Sequence, residues 1–264
     1  MLEGKRALVM GVANNRSLAW GITRALAGAG AQVALSYATE RFKKNVQELA
    51  AELGPPDAVP LIECDVTSDE SVERLFRELG ERWGALDILV HSIAYAERED
   101  LLGRVTDISR HGFATALDVS AYSLLACARG ARPLMEAAGG GSVITLTFMA
   151  SEKVFPGYNV MAFAKAALEC EVRYLAEELG PANIRVNAIS AGAVRTLAAS
   201  AVKGVSELRR VTEERAPLRR ATTQEDVGGA ALFLASPLAS GVTGQILYVD
   251  SGFHILAGVE MPER

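Results

Sequence analysis

The fold of this chain is decided by residues 5–21, which read KRALVMGVANNRSLAWG. An apolar run, Arg6 to Met10, leads directly into Gly11, and an amphipathic stretch begins at Leu18. A short apolar run without alternating polar positions is typical of a strand that is buried on both faces. These residues therefore predict a first strand, a turn that contains glycine, and a helix.

The same alternation of a short apolar run and a longer amphipathic stretch continues along the chain, without an internal repeat of fixed period. The strand candidates are Arg6 to Met10, Gln32 to Ser36, Ala58 to Cys64, Ile88 to His91, Ser142 to Thr147, Arg185 to Ile189 and Ile246 to Val249. The helix candidates are Leu18 to Ala29, Ala38 to Glu52, Asp69 to Trp83, Arg110 to Ala137, Tyr158 to Glu178 and Thr223 to Ala235. This series predicts an α/β fold, a Rossmann-type doubly wound seven-stranded parallel sheet flanked by helices.

The domain organisation follows from length and from one irregular segment. No linker interrupts the series, and 264 residues suit a single α/β domain, so we expect residues 1–264 to form one domain. Arg195 to Pro217 carries small and charged residues without a clean period. We expect this segment, at about 195–217, to form a lid over the site; the alternative is an amphipathic surface helix that packs on the sheet edge.

Composition excludes several classes of function. The net charge is −5, so there is no positive excess to bind nucleic acid. Cys64, Cys127 and Cys170 show no C-x-x-C spacing, and we expect neither a disulfide framework nor a metal site. The N-terminus lacks the features of a signal peptide, and no apolar run approaches the roughly 18 to 20 residues that cross a bilayer. We expect a cytoplasmic protein that does not associate with membranes.

Residues 11–21 form the turn at the first strand–helix junction, where dinucleotide-binding folds hold a pyrophosphate. Gly11 permits the sharp turn, and Ser17 can cap the helix and donate to a phosphate. The spacing departs from G-x-G-x-x-G, and a plain strand-to-helix turn also favours Gly and Asn. Both interpretations stay open on these residues alone.

Two acidic residues bear on the choice of cofactor. Glu40 lies 19 residues after Gly21, near the acidic position that binds a ribose hydroxyl of NAD, although it can equally start a solvated helix. Arg41, Lys43 and Lys44 follow it and can tolerate a 2′-phosphate, so NADH is favoured and NADPH stays possible. Asp65 can accept a hydrogen bond from an adenine amine or serve as the N-cap of the next helix.

Tyr158 and Lys165 are the candidate catalytic pair. Seven positions at about 100° each return Lys165 to the face that Tyr158 occupies, two turns later. A phenol beside a fixed ammonium is expected to have a lowered pKa and to donate well to an oxygen that gains negative charge. The alternative is a pair of ordinary surface residues.

Five stretches together resemble one family, the enoyl-acyl-carrier-protein reductases of bacterial type II fatty-acid synthesis, a divergent branch of the short-chain dehydrogenase/reductases. They are Ser17-Leu18-Ala19, Cys64-Asp65-Val66, His91-Ser92-Ile93-Ala94, Tyr158 with Lys165 after a six-residue gap, and Ile189 to Thr196. The similarity covers nearly the whole chain. Other members of the superfamily usually space the tyrosine and lysine by three residues, which favours the enoyl branch.

The resemblance implies an oxidoreductase that reduces the trans-2 double bond of enoyl thioesters with NADH. It implies that the cofactor is bound by Gly11, Ser17, Leu18, Asp65, Val66, Ser92, Ile93, Ala94, Lys165, Val194 and Thr196. Within this set, Asp65 and Val66 would contact the adenine, Lys165 the nicotinamide ribose, and Val194 and Thr196 the carboxamide. The substrate side would consist of Ala96, Tyr158, Met161 and Leu197.

Two positions depart from the family pattern. Phe148 occupies the position of the family's second tyrosine, ten residues before Tyr158, and we expect it to change the polarity of the pocket while activity is retained. Ala193 stands where the family often has proline, and we expect a less restricted backbone there.

The expected partners are an acyl-carrier protein that carries an enoyl chain and further copies of this chain. Lys203, Arg209 and Arg210 are candidates to contact the acidic carrier protein, unless they are simply solvated. The two longest helix candidates are rich in apolar and small residues, and with the resemblance they suggest a homotetramer. The competing functions are a short-chain reductase acting on a keto group and a non-catalytic NAD(H)-sensing scaffold.

Overall fold

The computed structural model describes residues 1–55, 58–194, 196 and 205–257. Seven parallel strands form one sheet in the order β3-β2-β1-β4-β5-β6-β7. The strands are β1 Arg6–Met10, β2 Gln32–Tyr37, β3 Leu61–Glu63, β4 Ile88–His91, β5 Gly141–Thr147, β6 Ile184–Ala191 and β7 Ile246–Val249. The predicted doubly wound, seven-stranded parallel sheet is confirmed, although β3 is shorter than its candidate.

Helices cover both faces of this sheet. They are α1 Leu18–Gly28, α2 Glu40–Ala50, α3 Asp69–Trp83, α4 Arg98–Leu102, α5 Arg110–Leu117, α6 Ser123–Ala137, α7 Asn159–Leu179, α8 Val205–Arg215 and α9 Gln224–Ala235. None of the helices in the described ranges is long and apolar enough to cross a membrane.

The apolar strand runs are explained by burial on both faces. Successive strand residues point to opposite faces of the sheet, so each apolar run contributes side chains to two hydrophobic cores. Leu8 of β1 packs with residues of α3, α6 and α7, whereas Val9 packs with residues of α1, α2 and α9. Both side chains are fully buried. A strand with one solvated face would carry polar residues at alternate positions, and Ala7 to Met10 of β1 has none.

The prediction of one helix from Arg110 to Ala137 is wrong, because a π-helical turn, Asp118–Tyr122, separates α5 from α6. Ser120 lies in this turn, and its Oγ both accepts a hydrogen bond from the Tyr95 amide and donates one to the Tyr95 carbonyl, each at 2.9 Å. The extra residue of the π-turn thus joins the helix to the loop after β4. Hydrogen bonds to a distant loop leave no trace in helical periodicity.

The segment of the expected lid, at about 195–217, contains helix α8, as the alternative of a surface helix had allowed. Its helical period is polar: Arg210 pairs with Glu207 and Glu214, both at 2.6 Å, and Arg209 pairs with Glu213 at 2.9 Å. Ion pairs at these spacings stabilise a helix without an apolar stripe. Arg195 and residues 197–204 lie outside the described residues.

The packing of α3 against α6 generates a test of the fold. A Cβ on Gly130 of α6 would lie 2.2 Å from Cδ2 of Phe76 on α3. We expect Gly130→Ala to lower the free energy of unfolding by about 1 to 3 kcal/mol, because the packed ring must move. Gly229→Ala in α9 is the matched control: nothing lies within 4 Å of its Cβ position, so stability should hold or rise by up to about 1 kcal/mol. Urea unfolding measures both, and equal effects would contradict this packing.

Candidate active site

The candidate site lies at the carboxyl edge of the sheet, where the loops after parallel strands meet. β2 and β3 extend the sheet on one side of β1, and β4 to β7 extend it on the other. Ligands of doubly wound folds bind in the crevice at this switch point. The predicted site residues that the structure describes lie on these loops, at the start of α1 or on α7.

The turn after β1 and the loop after β4 approach each other closely. Gly11 has a φ of +93°, and a Cβ on it would lie 1.9 Å from the carbonyl oxygen of Ser92. The Ser92 amide in turn donates to the carbonyl oxygen of Met10 at 3.2 Å. Only glycine fits this contact, which brings the predicted residues Gly11 and Ser92 together.

The expectation that the Ser17 side chain caps α1 is wrong. Ser17 does stand at the N-cap position, but its Oγ donates to the carbonyl oxygen of Asn14 at 2.7 Å and accepts no helix amide. The hydroxyl thus fixes the turn, while Leu18 begins the helix. From α9, Nε2 of Gln224 donates to the Ser17 carbonyl at 2.6 Å. Gln224 therefore supports this turn, and it is a contact that sequence reasoning missed.

Asp65 is not the N-cap of α3, so that alternative is wrong. The cap is Ser68, whose side chain accepts from the amide of Ser71. Asp65 instead accepts hydrogen bonds from the amide and hydroxyl of Thr67, at 3.0 and 2.8 Å, and its side chain is exposed beyond β3. Val66 beside it is buried.

The start of α2 carries an ion pair. Oε1 of Glu40 lies 2.8 Å from Nζ of Lys43, and both side chains are exposed. Nζ of Lys43 also lies 5.7 Å from the ring centroid of Tyr37. Lys43, one of the three basic residues that could attract a 2′-phosphate, is thus paired with Glu40, whereas Arg41 and Lys44 are exposed.

Tyr158 lies at the start of α7, and Lys165 lies two turns further along the same helix. Tyr158 is the N-cap residue of α7, half-buried, with its ring against Phe148: the ring centroids are 5.1 Å apart and the planes meet at 61°. Lys165 is only 5% exposed, and its Nζ donates to the carbonyl oxygen of Leu146 at 2.8 Å. The carbonyl at the end of β5 therefore orients the ammonium.

The expectation that Lys165 lowers the pKa of Tyr158 is wrong for this structure. Burial raises the pKa of the phenol above its ordinary value, and no opposing effect of the ammonium is resolved. Burial lowers the pKa of Lys165 to about 8, an effect that the charge of Glu169 partly opposes. Tyr158 is therefore neutral at physiological pH and holds a proton that it can share in a hydrogen bond.

The substrate-side residues Ala96, Tyr158 and Met161 meet in one small apolar cluster. The other members of this cluster are Leu101, Ile108, Ala116, Val160 and Ala164. Sδ of Met161 also lies 3.6 Å from Oγ of Ser120 in the π-turn. Leu197, the fourth predicted substrate residue, lies outside the described residues.

The loop after β6 is held by two backbone hydrogen bonds. The amide of Gly192 donates to the carbonyl of Val249 at 2.8 Å, and the amide of Val194 donates to the carbonyl of Gly192 at 2.9 Å. The second bond closes a three-residue turn around Ala193. This hydrogen bond therefore restricts the backbone at Ala193, where the absence of proline had predicted a less restricted one. Val194 is buried and Thr196 half-buried.

Ile93 and Ala94 follow Ser92 in the loop after β4, where Ile93 packs against the core and Ala94 is exposed. His91, just before them, is fully buried between Thr145 and Ser123, with ring nitrogens 3.0 and 2.8 Å from their hydroxyls. Burial, reinforced by the charge of Lys165, lowers its pKa to about 3. His91 is therefore a neutral core residue. In the described part of the chain, no group of three or more His, Cys, Asp or Glu residues could hold a metal ion.

Comparison with known proteins identifies the family. A family model described as enoyl-(acyl carrier protein) reductase matches residues 11–254. The chain belongs to this family. An enoyl-[acyl-carrier-protein] reductase [NADH] from Synechocystis sp. is 53% identical over 258 residues, which cover 97% of this chain and 98% of the relative.

Two solved members of the enoyl-(acyl carrier protein) reductase family share the fold closely. The Bacillus cereus reductase, solved with NADP+ and indole naphthyridinone, has a TM-score of 0.94 and 50% identity, covering 97% of this chain and 98% of that one. The Anaplasma phagocytophilum reductase, solved with NAD, has a TM-score of 0.93 and 47% identity, covering 98% and 97%. The resemblance drawn from the sequence motifs is confirmed.

The buried ammonium predicts a pH-dependent stability. The unfolded chain keeps the ordinary Lys165 pKa of 10.5, so between about pH 8 and 10.5 it binds more protons than the folded chain. The contribution of this lysine is fully present above 10.5 and is lost as the pH falls through about 8. We expect the unfolding free energy of wild type relative to Lys165→Met to rise by about 1 kcal/mol per pH unit across this window. Urea unfolding at several pH values measures it; parallel curves would contradict the burial of a charged lysine.

Proposed function

We propose that this protein is an NADH-dependent oxidoreductase that reduces the trans-2 double bond of enoyl-acyl-carrier-protein thioesters in type II fatty-acid synthesis. The observation that carries the proposal is the pair of a neutral Tyr158 phenol and a buried Lys165 ammonium at the carboxyl edge of the sheet. The relatives named as NADH-dependent reductases support the same reaction.

The residues at the crevice fit a dinucleotide. The Ser17 side chain leaves the first amides of α1 uncapped, and a helix N-terminus with free amides after the Gly11 turn suits a pyrophosphate. Lys165 gives one of its three N–H groups to Leu146, which leaves donors for ribose hydroxyls. Bound NADH supplies the hydride that adds to the β-carbon of the enoyl group. In this proposal Asp65 and Val66 contact the adenine, and Val194 and Thr196 the carboxamide.

Tyr158 is the proposed hydrogen-bond donor to the substrate. Reduction of the double bond moves negative charge onto the thioester carbonyl oxygen, and a hydrogen bond from the phenol stabilises that charge. Phe148 packs edge-on against the Tyr158 ring but has no hydroxyl, so among the described residues at this contact Tyr158 alone can donate. The apolar cluster around Met161 keeps water away from the bond.

The choice between NADH and NADPH rests on α2. The Glu40 carboxylate lies near the position that binds ribose hydroxyls and neutralises Lys43, which favours NADH. Arg41 and Lys44 are exposed and could still attract a 2′-phosphate. The Bacillus cereus relative was nevertheless solved with NADP+, so both cofactors belong in the assay.

The acyl-carrier protein is the proposed source of the substrate, and the segment at 195–217 is the proposed lid over it. Arg209 and Arg210 contribute little net charge to a docking surface, because intrahelical glutamates neutralise both. Lys203 lies outside the described residues. The proposed location is the cytoplasm, where the other enzymes of such a pathway would supply the thioester.

The outer face of α5 and α7 is the proposed interface of a homotetramer. Phe113, Phe163 and Tyr174 are 41%, 42% and 76% exposed, and the rings of Phe113 and Phe163 lie 6.0 Å apart. Exposed aromatic residues in one patch mark an interaction surface, and symmetric copies of the chain cover such patches most simply.

The reaction is tested by mixing the protein with NADH or NADPH and crotonyl-coenzyme A, and separately with acetoacetyl-coenzyme A. We expect loss of NADH absorbance with the enoyl substrate and none with the keto substrate. Oxidation with only the keto substrate would make the protein a ketoreductase, and silence with both would favour a sensing scaffold.

The role of the phenol predicts the effect of Tyr158→Phe. We expect kcat with crotonyl-coenzyme A to fall by about 100-fold, because the carbonyl oxygen loses its donor, while the Kd for NADH changes little. Tyr174→Phe is the control: it removes a hydroxyl from the same helix at the proposed subunit interface, outside the crevice, and should leave both constants unchanged. Undiminished turnover in Tyr158→Phe would contradict the mechanism.

The proposed assembly predicts that the wild-type chain sediments as a tetramer and that Phe163→Arg sediments as a smaller species, because a charge would have to be buried in the interface. Val154→Arg is the control, since Val154 is 96% exposed and lies outside the α5 and α7 face. Analytical ultracentrifugation distinguishes the states; a wild-type monomer, or equal behaviour of the two variants, would exclude this interface.

A further inference from the structure

Lys165 is unusual in this fold because of its burial. Among the described residues it is the only lysine or arginine whose exposure is as low as 5%. Moving an ammonium out of water costs several kcal/mol unless an opposite charge compensates it. The Leu146 carbonyl provides a dipole at 2.8 Å but no net charge. The charged form of this lysine therefore requires a buried anion nearby.

Glu169 meets that requirement. It lies one helical turn after Lys165 on the same face of α7 and is also only 5% exposed. Oγ1 of Thr147 donates to Oε1 of Glu169 at 2.6 Å. Leu146 and Thr147 are consecutive residues of β5, so the end of one strand holds the lysine through a carbonyl and the glutamate through a hydroxyl.

The other ionisable groups around this pair do not replace Glu169. His91 of β4 is neutral, because burial and the Lys165 charge lower its pKa to about 3. Tyr248 of β7 is neutral, because burial and the charges of Glu152, Glu169 and Asp250 raise its pKa to about 12. Asp250 accepts from its own partner, Nδ1 of His254, at 3.0 Å. Tyr158, at the start of α7, is neutral as well.

We propose that Glu169 is a positioning residue for the reaction, the buried counter-ion that keeps Lys165 in its ammonium form for binding the nicotinamide ribose. The binding of the ribose by Lys165 rests on the proposed function, whereas the charge coupling between Glu169 and Lys165 does not. Burial alone would drive the lysine toward the neutral amine, and the carboxylate opposes it. The pKa of Lys165 stays at about 8, so the lysine is mostly charged at physiological pH.

The test is an NMR titration of the Lys165 Nζ in the protein without NADH, assigned by comparison with Lys165→Arg. In Glu169→Gln we expect the titration midpoint to move down by about 1 pH unit, because the carboxylate charge is gone while the shape is kept. Glu171→Gln is the matched control: the same change two residues later on α7, at a side chain that is partly buried and has an oxygen without a partner. The Lys165 midpoint in Glu171→Gln should stay at the wild-type value. The same holds for Glu169→Asp, which keeps the carboxylate charge.

A second readout is the pH dependence of the Kd for NADH, measured by fluorescence. Affinity should weaken as the pH rises through about 8 in wild type and through a lower pH in Glu169→Gln. Equal midpoints in Glu169→Gln and Glu171→Gln overturn the proposal. A wild-type midpoint below about 7 overturns it without any variant, since Lys165 would then be neutral despite Glu169. A shifted midpoint in a protein that fails to reduce crotonyl-coenzyme A would instead reject only the proposed function.

Discussion

The hydrogen bond from Lys165 to the Leu146 carbonyl joins helix α7 to the carboxyl end of strand β5, and the chemistry at this edge depends on that link. It orients a buried ammonium that no solvent stabilises. It also fixes the position of α7, whose first turn carries Tyr158 against Phe148. A structure that places a charge in its interior must satisfy it completely, so the neighbouring strand and helix residues are constrained as well.

The close contact of Gly11 with Ser92 is the second constraint. It draws the turn after β1 against the loop after β4, which closes one side of the crevice at the switch point of the sheet. Gln224 of α9 also holds this turn, through a hydrogen bond to the Ser17 carbonyl. Residues from distant segments thus hold the turn in place. The turn itself contributes a glycine that can adopt a positive φ, followed by the first amides of α1.

The neutral state of Tyr158 determines which roles Tyr158 and Lys165 can take in the proposed reaction. A phenol with a lowered pKa would lose its proton near neutral pH, whereas burial keeps this one protonated. In the proposed mechanism the lysine therefore binds the cofactor, and the tyrosine acts as the hydrogen-bond donor. Phe148 packs against the Tyr158 ring and contributes no further hydrogen-bond donor.

The sequence by itself determined the class of fold and the family. The apolar strand runs, buried on both faces, required a parallel sheet covered by helices, and local motifs such as Tyr158 with Lys165 placed the chain among the enoyl reductases. These features are local, so periodicity and spacing reveal them. Most predicted strand and helix limits agree within a few residues.

Only the tertiary structure decided the contacts between distant segments. Gln224 bonds to the Ser17 carbonyl, the π-turn at Ser120 bonds to Tyr95, and Glu169 of α7 bonds to Thr147 of β5. The pKa of Tyr158 likewise depends on burial by residues far along the chain. Hydrogen-bond partners and desolvation are set by neighbours in space, and a linear sequence does not contain those distances.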